Sequence, residues 1–152
     1  VFSYLKYIAN VKPVIECSEG TSLILDNYIC DKEKISLILR NNGRFNINGV
    51  IATFGDNDQR EPITKLLSLE KEKSNPSGNY NFESPLKPGE KITANFSFKE
   101  KKSSGEIINV SFASIKNLRF QPYIIDEESL LTIPCGDSIR KQKIENCIIK
   151  IP

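Results

Sequence analysis

ISLILRNNGRFNINGVIATF, residues 35–54, limits the fold of this chain more than any other stretch. Ile35, Leu37 and Leu39 fall on one side of an extended chain, with Ser36 and Arg40 on the other. After Asn41-Asn42-Gly43 the alternation resumes, with Phe45, Ile47, Gly49 and Ile51 set against Asn46 and Asn48. A period of two marks half-buried strands, because successive side chains of a strand point to opposite faces. Two such runs about an Asn-Gly break predict a β-hairpin, since Asn and Gly tolerate the positive φ of a tight turn.

The same signal recurs along the chain. Strands are expected at residues 13–17, 22–29, 34–41, 45–54, 63–69, 91–99, 106–113, 119–125, 130–134 and 143–151. In KITANFSFK, Ile92, Ala94, Phe96 and Phe98 face inward while Thr93, Asn95, Ser97 and Lys99 face outward. In EIINVSFAS, Ile108, Val110 and Phe112 face inward, and Ile107, Asn109, Ser111 and Ala113 outward. Many short alternating runs between turn residues predict a mainly β protein, an antiparallel sandwich. Residues 70–90 form one long polar connection, punctuated by Pro76, Gly78, Pro85, Pro88 and Gly89, within which Tyr80 and Phe82 suggest a short edge strand. Gly43 and Gly89 read as turn residues only.

The start, VFSYLKYIANVKP, differs from everything after it. Val1, Leu5 and Ile8 fall at helical spacing, with Phe2, Tyr4 and Ala9 broadening the stripe. Pro13 disfavours helix at Lys12, so a helix should end near Val11. The chain therefore divides into an N-terminal helical segment, residues 1–12, and a β-sandwich domain, residues 13–152. One alternative for the segment is a helix or tail packed on the domain; the other is the last turns of a longer apolar helix. The chain has no methionine, even at position 1, which reads as a start lost by processing, with room for a signal peptide or membrane segment upstream.

Composition narrows the chemistry. At 152 residues and a net charge of +2, the chain is long enough for one well-buried core and carries no single-sign field for nucleic acid. The basic clusters Lys99-Glu100-Lys101-Lys102 and Arg140-Lys141-Gln142-Lys143 are short and read as solvated loop tips or faces. There is no histidine, which removes the usual general base and the commonest zinc ligand. Asp126-Glu127-Glu128 and Asp56-Asn57-Asp58 are adjacent acids on turns, not two differently tuned carboxylates facing one substrate. Asp56, Asp58 and Glu61 offer oxygen ligands for calcium but lack the full loop grammar of a calcium site. No catalytic residue, cofactor or metal site is assigned.

The four cysteines, Cys17, Cys30, Cys135 and Cys147, contain no short metal-binding knuckle. Disulfides fit them better than buried thiols and imply an oxidising compartment, hence the cell exterior. Three connectivities are open; the local pairs, Cys17 with Cys30 and Cys135 with Cys147, are the expectation. Asn95-Phe96-Ser97 and Asn109-Val110-Ser111 match the N-glycosylation triplet, whereas Asn75-Pro76-Ser77 is blocked by its proline. Both asparagines fall on outward positions, where a glycan fits.

ISLILRNNGRFNINGVIATF followed by LKPGEKITANFSF resembles archaeal surface proteins with immunoglobulin-like sandwiches, in which strand, NNG, strand, PGE, strand recurs. With VFSYLKYIANVKP in front and paired cysteines towards both ends, the whole is similar to the heads of archaeal type IV pilin-like or archaellin-like subunits. The resemblance implies an immunoglobulin-like β-sandwich head facing outward and a long apolar helix in the core of a filament of identical subunits. It also implies that Val1, Phe2, Leu5 and Ile8 make subunit contacts and that any membrane contact runs through a helix upstream. The family's helix is much longer than residues 1–11. The expected function is a structural subunit of an extracellular filament. The competing one is a cell-surface binding or adhesion module, such as a surface-layer contact or filament anchor, that uses loop 70–90 or a strand edge. About twenty apolar residues upstream would favour the first.

Overall fold

A computed structural model describes residues 17–57, 59–68 and 78–149. The helical segment expected at 1–12, residues 13–16 of the first expected strand, and Val1, Phe2, Leu5 and Ile8 lie outside these residues. Among the described residues, regular structure is β apart from one 3₁₀ turn at Gly136–Ser138. The strands are β1 (Leu23–Cys30), β2 (Lys34–Asn41), β3 (Ile47–Gly55), β4 (Asn79–Leu86) and β5 (Lys91–Ser97). They continue with β6 (Lys99–Lys101), β7 (Ile107–Asn109), β8 (Ser114–Ile125), β9 (Thr132–Pro134) and β10 (Arg140–Ile148).

All pairings are antiparallel. One sheet has the order β1-β2-β5 and the other β10-β8-β3-β4, while β6 and β7 form a separate ribbon. Short β9 pairs with β8 on the edge that β10 also uses, because Tyr123 already pairs with Gly49 of β3 on the opposite edge. The two sheets enclose one apolar core. Ile35, Leu37 and Leu39 of β2 and Phe96 of β5 are fully buried with Val50 and Phe54 of β3 and Leu118 of β8. Phe54 and Phe96 meet edge to face across the sheets, with ring centroids 5.4 Å apart. The expected mainly β, sandwich-like architecture is therefore present, and Tyr80 and Phe82 do lie on an edge strand, β4.

The hairpin expected at 35–54 is not there. Its two runs form strands, but β2 pairs with β1 and β5 whereas β3 pairs with β4 and β8, so the Asn-Gly break carries the chain from one sheet to the other. Asn41 explains the crossover. Its side chain is fully buried, and Nδ2 donates to the carbonyls of Phe45 and Leu86, both at 2.8 Å. Its Oδ1 accepts the Gly43 N–H at 3.0 Å. These bonds satisfy backbone groups that a hairpin ladder would otherwise have engaged. Gly43 has a role beyond turn geometry: a Cβ there would lie 2.2 Å from the Gly20 carbonyl oxygen. Gly89, at φ +85° after Pro88, is the turn residue expected, in a turn closed by Glu90 N–H to Lys87 O.

Other boundaries shift for identifiable reasons. Of the strand expected at 63–69, residues 63–68 form no strand and residue 69 lies outside the described residues. Thr64 bridges to Phe54 in one sheet and Ser68 to Phe96 in the other, and Leu66 and Leu67 are both buried between them. That segment covers Ser97, expected outward but 3% exposed, whose hydroxyl donates to Leu67 O at 3.1 Å. The run 91–99 breaks at Phe98, whose N–H turns to Glu33 O. Of 106–113 only residues 107–109 pair, while β8 begins earlier than expected, at Ser114.

Replacing Asn41 with Leu should lower stability by about 3 kcal/mol, because buried backbone partners lose their bonds. Gly43→Ala should cost a comparable amount through the clash with Gly20, whereas Asn42→Ala, an exposed neighbour, should stay within about 0.5 kcal/mol. Urea unfolding midpoints of the three variants check this; equal effects at 41 and 42 would remove Asn41 from its role.

Candidate functional site

The seam between β1 and β10 concentrates the chemistry that holds the molecule together. These strands are the facing edges of the two sheets and share no ladder. Two disulfides cross the gap, Cys17–Cys135 at one end and Cys30–Cys147 at the other, each with Cα atoms 5.3 Å apart. All four cysteines are thus oxidised, but the expected local pairing is wrong. Cys17 and Cys30 are separated by the length of β1, and Cys135 and Cys147 by most of β10. At about 3.3 Å per residue, each strand holds its two cysteines well over 15 Å apart, far beyond the roughly 7 Å a bridge can span. Two disulfides require an oxidising environment.

Polar groups complete the seam. β10 is irregular between Lys143 and Cys147, with Asn146 at φ +59°. The bulge turns the Glu145 backbone away from β8, and the Tyr28 hydroxyl satisfies it. That hydroxyl accepts the Glu145 N–H at 2.8 Å and donates to the Glu145 carbonyl at 3.3 Å. Nearer Cys17, the Ser138 hydroxyl donates to Thr21 O, and Arg140 Nη2 donates to Ser22 Oγ at 3.2 Å. An open cleft of about 820 Å³ lies there, walled by Cys17–Cys135 and by Ser18, Thr21, Asp137 and Arg140.

The two glycosylation triplets occupy different settings. Asn95 is half-buried in β5, its Oδ1 accepting the Ser36 hydroxyl at 2.5 Å, and the Ser97 of its triplet is covered. Asn109 and Ser111 are both exposed. A glycosylating enzyme must engage the Asn amide and the hydroxyl two residues on, so the folded chain offers Asn109 alone. Alternation expects both asparagines outward; Asn109 is exposed, whereas Asn95 is half-buried against Ser36 and segment 66–68 lies over the Ser97 of its triplet.

The acidic turns differ as well. Asn117 Nδ2 donates to Asn57 O and Arg60 O at 3.0 and 2.9 Å, pinning both against β8. Glu61 pairs with Lys141 instead of joining Asp56. Asp58 lies outside the described residues, among which no three His, Cys, Asp or Glu side chains gather to hold a metal. Asp126 caps the β8–β9 turn, its Oδ2 accepting the Ser129 N–H at 3.0 Å and the Ser129 hydroxyl at 2.6 Å. Those bonds hold its carboxyl below the usual range. The buried Tyr123 phenol is pushed up to about 12 by desolvation and donates to Asn81 Oδ1 at 2.8 Å. It stays neutral at physiological pH and serves packing.

Comparison with known proteins finds no matching family model, no matching curated protein and no matching solved structure.

Where the chain is modified after folding, mass spectrometry of tryptic peptides should place the added mass on the Asn109 peptide and leave the Asn95 peptide bare. Asn109→Gln should then abolish the added mass and Asn95→Gln leave it unchanged. The reverse pattern would show that modification precedes folding of β5.

Proposed function

We propose that this chain is the outward head of a structural subunit in an extracellular, archaeal type IV pilus-like filament, with its N-terminal segment contributing to the filament core. The strand orders support an immunoglobulin-like reading of the sandwich: β1-β2-β5 facing β10-β8-β3-β4 corresponds to A-B-E facing G-F-C-C′. No reaction chemistry is assigned to it.

The observation that carries the proposal is the position of Cys17–Cys135. Cys17 is the described residue nearest in sequence to the N-terminal segment and precedes β1, so in this reading tension between a filament core and its head reaches the bridge before it reaches β1. Without a bridge, that tension would peel β1 from β2 one backbone pair at a time, starting at Leu23. The bridge passes it directly to Cys135, beside β9 and the six-pair ladder of β8 and β10. A head stapled where its stalk attaches, and again at the far end of the same seam, suits a load-bearing exterior. The alternative, a cell-surface binding module without polymerisation, is favoured by one feature, the open polar cleft beside that same bridge.

Changing Leu5 and Ile8 to Glu separates the readings. In the filament, charge in an apolar bundle is costly, so full-length subunits should fail to polymerise by electron microscopy while the head melts within a degree or two of wild type, about the precision of such a scan. Intact filaments with a destabilised head would place those side chains in the sandwich core and leave the binding module ahead.

A further inference from the structure

The β8–β9 turn displays two leucines largely exposed among the described residues. Leu130 is 75% exposed and Leu131 61% exposed. Leu130 also sits at φ +59°, a left-handed conformation in which a branched side chain is strained and glycine or asparagine would serve better. The turn closes by backbone bonds, Leu130 N–H to Asp126 O at 2.8 Å and Asp126 N–H to Leu131 O at 3.0 Å, and by the Asp126 cap on Ser129, so neither leucine side chain is needed to make it. Strain retained at an exposed apolar tip points to a use outside the fold. Glu127 and Glu128 beside it are exposed, which disfavours an anionic lipid surface as the partner.

The opposite end of the same molecule carries a pocket with a basic rim. β8 runs from Ser114 beside Cys147 to Ile125 at the tip, so the tip and the β6–β7 ribbon lie at opposite poles. At the ribbon pole a pocket of about 400 Å³ opens over Phe98, Val110 and Ile149. Lys32 and Lys99 stand on its rim against the one carboxylate of Glu33. An acidic tip and a lysine-rimmed pocket of mixed polar and apolar lining match in charge.

We infer that Leu130 and Leu131 of one molecule dock into the Phe98–Val110–Ile149 pocket of a second copy of this chain. Because donor and acceptor surfaces lie at opposite poles, the contact is head-to-tail and propagates instead of closing as a symmetric dimer. A six-residue tip buries less than the roughly 1,200 Å² of a stable interface, so the contact is weak between free molecules and effective where copies are already held in a row. It rests on the sandwich alone and goes beyond the filament reading: a filament without it leaves that reading intact, and the contact without a filament leaves this one intact. Asn109 lies on the pocket rim, so a glycan there and docking exclude each other.

Amide NMR of the unglycosylated chain, diluted from about 1 mM, tests it. Residues 126–131 and the pocket residues Phe98, Lys99, Val110 and Ile149 should shift together with concentration. Leu130→Gly should weaken that association at least tenfold while melting no lower than wild type, because the strain at 130 is relieved. Lys32→Glu with Lys99→Glu should weaken it similarly, and adding Glu127→Lys with Glu128→Lys should restore it. Absence of concentration-dependent shifts in wild type, shifts at one pole only, or an unchanged response in Leu130→Gly would overturn the inference.

Discussion

The covalent joining of the first strand to the last is the constraint on which the rest of this fold depends. β1 and β10 face one another as sheet edges without a ladder, and the core is closed along that side by two bridges spanning 118 and 117 residues. In the chain-entropy model a bridge of that span removes about 5 kcal/mol of unfolded-state freedom, against about 3 kcal/mol for a local pair. The two do not add fully. Once Cys17–Cys135 is closed, Cys30 and Cys147 are linked by a path of only roughly 25 residues, so the second contributes about 3.5 kcal/mol. The opposite seam, between β4 and β5, has no bridge and is closed instead by buried side chains such as Phe82, Leu86 and Ala94.

Polar side chains do for the loops what the bridges do for the sheets. Buried Asn41 directs the crossover from β2 to β3, Asn117 holds Asn57 and Arg60 on β8, and the Tyr28 hydroxyl fills the bulge of β10. Each of these satisfies backbone groups that no ladder reaches, which fixes one path where an apolar core alone would allow several. Together with the bridges they describe a head whose ends cannot separate without breaking a covalent bond.

Alternation made most strands legible. β2 lies at its expected bounds, and β1, β3 and β5 lie within two residues of theirs. Partnership was the part that alternation does not encode. Ile35–Leu39 and Ile47–Phe54 looked like hairpin arms because an Asn-Gly pair separates them, yet the same residues suit an inter-sheet crossover when the asparagine is buried and the glycine closely approached. The cysteine error was avoidable. Strands were expected at 22–29 and 143–151, and a rigid strand between Cys17 and Cys30 already forbids their bridging. That leaves the two connectivities that join the first cysteine pair to the second, between which the strand pattern does not choose. Residues 66–68, with two consecutive buried leucines, carry no period and were legible only in three dimensions.

The functional reading joins these layers: a stapled sandwich, a bridge where the N-terminal segment attaches, and an accessible glycosylation triplet at the far pole. All of it leans on which cysteines are joined. Non-reducing peptide mapping of the secreted chain, with cleavage between Cys17 and Cys30 and between Cys135 and Cys147, addresses this directly. Peptides linking Cys17 to Cys135 and Cys30 to Cys147, which separate only after reduction, are the expected result. Recovery of Cys17 linked to Cys30 and Cys135 linked to Cys147 would contradict end-to-end closure of the seam.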